Sequence, residues 1–170
     1  MVRGSGMTRG APNRPDDGDD VVVTLREITK ETVRAICDLA VAPEQVRFVA
    51  PNAVSIAQAY FEPRAWFRAI YAGEQPVGFL MLFDDPGDAG HEPTYFLWRL
   101  MIAREHQGRG YGRRALERLV EHVRGRPGAV RLGTSCVLAS EGGPELFYRR
   151  FGFEATEEIL HGERVLRLPL

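Results

Sequence analysis

Gln107-Gly108-Arg109-Gly110-Tyr111-Gly112 stands between an apolar, strand-like run and a strongly amphipathic, helix-like run. Glycines at 108, 110 and 112 remove the Cβ atoms that would keep a phosphate from the main chain, and the free N–H groups of a helix start converge on the same point. Arg109, Arg113 and Arg114 add positive charge nearby, and the arginine fork suits phosphate oxygens. The junction is therefore a candidate site for a phosphorylated cofactor. Glycine clusters also make ordinary tight turns and helix arginines are commonly solvated, so spacing alone leaves both readings open. The motif is unlike a dinucleotide fingerprint, because it follows a late strand instead of opening a repeated strand-helix-strand unit. It also lacks the lysine and terminal hydroxyl of a nucleotide-triphosphate loop.

The elements that must position this junction are legible in the hydrophobic pattern. Val21 to Ile28 alternates as a first strand, Thr29 can cap a helix, and Val33, Ile36, Cys37 and Ala40 recur at helical spacing. A second helix is expected from about Ser55 to Pro63. Trp66 to Tyr71 and Gln75 to Phe83 predict an antiparallel hairpin turned at Ala72-Gly73-Glu74, followed by a strand over Tyr95 to Ile102. Arg99 interrupts that last apolar run, and a charge there must reach solvent, a carboxylate or a ligand. Ala115, Leu116, Leu119, Val120 and Val123 make the stripe of a helix over Gly112 to Val123. A strand over Val130 to Val137 then completes a parallel right-handed crossover. A short helix at about Gly143 to Arg150 and strands around Gly152 to Ile159 and Arg164 to Leu168, turned at Gly162, end the chain.

Composition narrows the classes. The 170 residues suit one domain, with Met1 to Asp20 expected as a disordered tail and residues 21–170 as the folded unit. A formal net charge of -1 gives no general attraction to nucleic acid or to an anionic membrane surface. No apolar block resembles a signal-peptide core or a membrane span, so a cytoplasmic location is expected. The 2 cysteines, Cys37 and Cys136, fall in core-like patterns and predict neither a disulfide nor a metal site. His91, His106, His122 and His161 have no ligand cadence, and no metal is expected.

The glycine-rich block and a second block, Glu145-Leu146-Phe147-Tyr148-Arg149-Arg150-Phe151-Gly152-Phe153, in this order resemble the GNAT superfamily of acetyl-CoA-dependent N-acetyltransferases across about residues 21–170. The resemblance is closest to the bacterial diamine and spermine/spermidine acetyltransferase branch. It implies an α/β, acyl-CoA N-acyltransferase fold: a mixed, mostly antiparallel sheet flanked by helices, with splayed central strands. It also implies that main-chain N–H groups from Gly108 to Gly112 contact the CoA pyrophosphate, with Gln107, Tyr111, Arg104, Arg109 and Arg113 around it. The strand carrying Leu100, Met101 and Ile102 would splay from the Val130 to Val137 strand and pair with the pantetheine arm, helped by a local bulge.

Direct attack of an amine on the thioester requires a base, donors for the developing charges and no covalent protein nucleophile. Tyr148 matches the family's tyrosine near the CoA sulfur and is the expected donor to the leaving thiolate. Packing with an outward hydroxyl is the ordinary alternative for such a residue. For the base, Glu141 lies near Tyr148 in sequence, while Glu62, Glu74, Asp84 and Asp85 fall on loops or element ends. The segment Phe48 to Ala59 resembles the acceptor side of the polyamine branch and favours a small diamine or polyamine over a peptide terminus. Aminoglycoside, amino-acid or protein amines are alternative acceptors, a CoA-binding module without turnover is the alternative of a different class, and related enzymes imply a possible homodimer.

Overall fold

The computed structural model describes residues 21–137 and 143–170. The expected tail over 1–20 and Glu141 lie outside the described residues. One seven-stranded sheet runs in the order β1-β2-β3-β4-β5-β7-β6. Its strands are β1 Val23–Arg26, β2 Ala65–Ala72, β3 Gln75–Asp85, β4 Thr94–Ile102, β5 Arg131–Val137, β6 Glu154–Leu160 and β7 Glu163–Pro169. Four helices accompany it: α1 Val33–Asp38, α2 Asn52–Tyr60, α3 Tyr111–Arg124 and α4 Glu145–Phe151. Neighbouring strands are antiparallel except β4 and β5, which are parallel and joined through α3, as the pattern predicts.

Apolar side chains cover both faces of the sheet. On one face α3 and α4 pack over Leu82, Leu97, Leu132 and Leu166. The stripe Ala115, Leu116, Leu119, Val120 and Val123 is buried there, and each larger member contributes roughly 1.5–3 kcal/mol. Arg118 and Glu121, on the opposite side of α3, form an exposed ion pair at 2.9 Å. On the other face α1 and α2 cover Phe79, Met81 and Met101.

The structure departs from the pattern mainly at element ends. The N–H of Thr29 donates to Thr32 Oγ1 at 2.9 Å, closing a turn before α1, so Thr32 and not Thr29 precedes the helix. The helix ends at Asp38, short of Ala40. Pro43–Phe48 forms a 3-10 turn with no counterpart in the sequence reading. Helix α2 begins at Asn52, whose buried side-chain amide donates to the Ile36 carbonyl at 2.8 Å and ties α2 to α1.

Candidate active site

Strand β4 carries an extra residue. Met81 of β3 pairs with Arg99, but Leu82 pairs with Leu97, leaving Trp98 as a β-bulge. On its other edge β4 meets β5 through only two pairs, Phe96↔Gly133 and Leu97↔Thr134. The Thr134 hydroxyl donates to the Leu97 carbonyl at 3.0 Å and pins the last of them. Beyond that point the bulge turns β4 away while β5 stays paired with β7. The parting opens a cleft of about 790 Å³ between Trp98–Ile102 and Thr134–Cys136, a volume suited to a cofactor-sized ligand.

The glycine-rich turn closes one end of the cleft. Gly108 and Gly110 both have φ of +75°, a left-handed conformation that a side chain would strain. A Cβ on Gly108 would have no heavy atom within 4 Å, so open space stands over its main chain. Gly112 also serves packing, since a Cβ there would meet the Phe147 ring at 3.3 Å. Gln107 acts as a tie: its amide donates to the Ile102 carbonyl and to Gln45 Oε1, both at 2.8 Å. That tie binds the turn to the end of β4 and to the Pro43–Phe48 segment.

Of the cofactor residues expected from sequence, Leu100, Met101, Ile102, Gln107, Gly108, Gly110, Tyr111, Gly112, Arg113 and Tyr148 all line this cleft. Arg104 and Arg109 are exposed and do not line it. Arg104 uses its N–H on the Ala40 carbonyl at 2.9 Å. Arg150, His106, Phe147 and Phe151 join the lining from positions to which the sequence reading gave no such role or only a passing one.

Tyr148 projects from α4 and is buried, with its ring edge-on to Phe147 at 5.3 Å and Phe153 at 5.4 Å. Burial pushes its phenol well above the ordinary tyrosine range, and the Thr134 hydroxyl opposes this only in part. The group is thus a neutral hydrogen-bond donor at any physiological pH. Burial likewise pushes the Cys136 thiol, in the same wall, up to about 11. A thiol so placed is a poor nucleophile.

The expected carboxylates are elsewhere. Glu62 pairs with Arg64 at 2.8 Å. Glu74 pairs with Arg26 at 2.9 Å in the β2–β3 turn. Asp84 holds Arg126 at 2.9 Å, and Asp85 holds Arg64 at 3.1 Å. None of the four lines the cleft. Among the described lining residues one carboxylate remains, Glu163, which the sequence reading missed. It accepts a hydrogen bond from Ser135 Oγ at 2.5 Å. Its charge acts on Tyr148, Cys136 and Arg99 together, so it stands within electrostatic reach of all three. No local signal marks Glu163; only the β5–β7 register brings it beside Ser135.

Arg99, flagged as the odd charge in an apolar strand, lines the cleft. One Nη donates to the Trp98 carbonyl at 2.8 Å and the other makes a long contact of 3.4 Å to Gln58 Oε1. Burial lowers its pKa from the ordinary value, with Glu163 opposing.

The family model for the acetyltransferase (GNAT) family matches residues 50–153. The chain belongs to this family. It is 26% identical over 151 residues to the spermine/spermidine N(1)-acetyltransferase of Bacillus subtilis (strain 168), a match covering 85% of this chain and 96% of that protein. An acetyltransferase from Thermus thermophilus superimposes with a TM-score of 0.67 at 22% identity, covering 88% of this chain and 98% of that one. The PaiA N-acetyltransferase from Thermoplasma acidophilum, solved with coenzyme A, gives a TM-score of 0.60 at 13% identity over 88% of this chain and 99% of that one. The fold is thus that of the GNAT enzymes, and the chain is an acetyltransferase of that family.

The residues present suit CoA. The free edges of β4 and β5 beyond Leu97 and Thr134 offer main-chain groups to a pantetheine arm. The open space over Gly108, with the start of α3 behind it, accommodates a pyrophosphate. Among the described residues no group of three or more His, Cys, Asp or Glu is placed to hold a metal ion. No helix among them is long and apolar enough to cross a membrane.

Proposed function

We propose that the chain moves the acetyl group of acetyl-CoA to a small primary amine by direct attack, with Glu163 as base and Tyr148 as donor to the sulfur. The observation that carries this reading is that both residues and the glycine turn line one cleft between the parted ends of β4 and β5. Acetyl-CoA supplies an activated thioester when bound. Gly108, Gly110 and Gly112, with Arg113 and Arg150, hold its phosphates at the start of α3, and Leu100 to Ile102 orient the arm.

Glu163, steadied by Ser135, takes a proton from the amine nitrogen as that nitrogen bonds to the acetyl carbon. Tyr148 hydrogen-bonds the sulfur as the carbon–sulfur bond breaks. Its raised pKa makes it a weaker acid than a thiol, so it stabilises the thiolate without surrendering its proton, and solvent protonates the released thiolate. An ammonium acceptor therefore sheds two protons, one of which balances that taken up by sulfur. Cys136 stays protonated and takes no part.

A diamine or polyamine acceptor draws support from the names of two Bacillus subtilis relatives, each 26% identical. A polycation site ordinarily presents several carboxylates, whereas the described lining here presents Glu163. The test is to incubate the purified chain with acetyl-CoA and a mixed amine panel and to identify products by mass. An acetylated amine is the expected result. Measurable CoA binding with no product from diamines, polyamines, aminoglycosides, amino acids or peptides would leave a CoA-binding module without turnover.

A further inference from the structure

The cleft's lining residues come from both faces of the sheet, and the two faces carry different chemistry. Residues paired across neighbouring strands project to the same side. Arg99 pairs with Met81, which belongs to the core under α1 and α2, so Arg99 faces that layer, where it meets Gln58 of α2. In β5, Cys136 belongs to the α3–α4 core, so its neighbour Ser135 projects the opposite way, toward α1 and α2. The Ser135–Glu163 hydrogen bond places the carboxylate on that side too. Tyr148, by contrast, belongs to the core under α3 and α4. The α1–α2 side of the splay therefore has a carboxylate on the β5–β7 lip and a guanidinium on the β4 lip, with the glycine turn and Tyr148 behind.

Arg99 is unlike the chain's ion-paired arginines. Arg26, Arg64, Arg68, Arg113 and Arg126 each have a carboxylate within 4.0 Å. Among the described residues the Arg99 guanidinium hydrogen-bonds only neutral oxygens, of Trp98 and Gln58, and its Nε is buried without an acceptor. A half-buried guanidinium with no carboxylate in contact is costly to hold, and Glu163 opposes that cost only through space. A ligand carboxylate at the guanidinium would supply the missing contact. Arg47, on the Pro43–Phe48 segment and also in the lining, adds a second positive charge at this mouth.

Resting on the N-acetyl-transfer reading, we propose that the acceptor is an amino-carboxylate: its ammonium is received by Glu163 and Ser135, and its carboxylate by Arg99. A planar carboxylate fits the guanidinium fork, and the two lips together recognise a zwitterion where a polycation would place a positive charge against Arg99.

The experiment is equilibrium titration of the CoA-saturated full chain with matched ligands. These are glycine through 5-aminopentanoate, the corresponding amides, and diamines of equal length, against the wild type, Arg99→Gln and Arg99→Lys. For at least one length the wild type should bind the carboxylate about ten-fold or more tightly than its amide, the scale of one charge-assisted contact. Arg99→Gln should erase that preference and Arg99→Lys should retain part of it. The wild-type comparison decides the matter even if neither variant folds. Equal or tighter binding of the amide or diamine at every length, binding of none of the three classes, or a preference that survives in Arg99→Gln, overturns the proposal. Initial rates on the same ligands separate the two readings: carboxylate binding through Arg99 without any acetylated product sinks the catalytic reading and leaves the recognition standing.

Discussion

Replacing Tyr148 by phenylalanine removes one hydroxyl from a buried ring and isolates its contribution to turnover. The Thr134 hydroxyl is already committed to the Leu97 carbonyl at 3.0 Å, so the substitution strands no buried donor, and stability should change by no more than about 1 kcal/mol. Because burial holds the phenol far above its ordinary value, the proposed mechanism has Tyr148 hydrogen-bond a developing thiolate without full proton transfer. A hydrogen bond to a charged group contributes about 1.5–3 kcal/mol, which corresponds to a loss of about 10- to 150-fold in kcat. Thiol release at saturating amine measures kcat, and a separate titration with CoA measures binding, which should stay within about two-fold of wild type. The same burial predicts that the wild-type rate shows no decline from ionisation of Tyr148 up to about pH 10. An unchanged kcat would refute the assignment. A loss beyond about 10³-fold would refute the hydrogen-bond argument and point to complete proton transfer.

Three further outcomes follow from particular contacts. Glu163→Gln should lower kcat/KM at neutral pH by about 10²-fold or more and remove the acidic limb of the pH–rate profile; an unshifted profile places the base elsewhere, with Glu141 next to be tested. Gly133→Ala would set a Cβ 2.7 Å from Phe96 Cδ2, inside one of the two pairs joining β4 to β5, and should cost about 1–3 kcal/mol in urea unfolding. An unchanged midpoint would mean that the Phe96 ring yields freely. His122 stacks on Trp66 at 4.0 Å, and burial lowers its pKa against the opposing pull of Asp84. The unfolded chain therefore takes up this proton first, so the contribution is complete above about pH 6.5 and is lost as pH falls toward the lower folded value. His122→Gln should flatten the decline of stability across that window.

Much of the architecture was legible because local pattern and tertiary role agree. The α3 stripe is buried as its spacing implies, and the strand, helix and strand around it form the expected parallel crossover. The glycine turn was readable for a similar reason: Gly108 and Gly110 adopt the backbone that their lack of a side chain permits. What escaped depends on partners distant in sequence. The bulge at Trp98 is one residue of β4 with no partner in β3, invisible in either strand alone. Glu62, Glu74, Asp84 and Asp85 read locally as open acids, yet each is held by an arginine, in three of the four cases from far along the chain. Glu163 sits just after a turn and looks like a solvent charge until β7 is aligned on β5. Arg99, by contrast, announced itself, since a guanidinium in an apolar strand demands a reason.

The seam between β4 and β5 has a mechanical consequence. Among the described residues, two residue pairs and one threonine hydrogen bond are all the ladder that joins a four-stranded half-sheet to a three-stranded one. A molecule laid along both free edges would act as an internal rivet, adding rungs that the chain itself does not supply. By mass action such a guest raises resistance to unfolding by about 2.7 kcal/mol at a hundred times its dissociation constant, so the acyl donor would serve the protein as a structural member before it serves as a reagent.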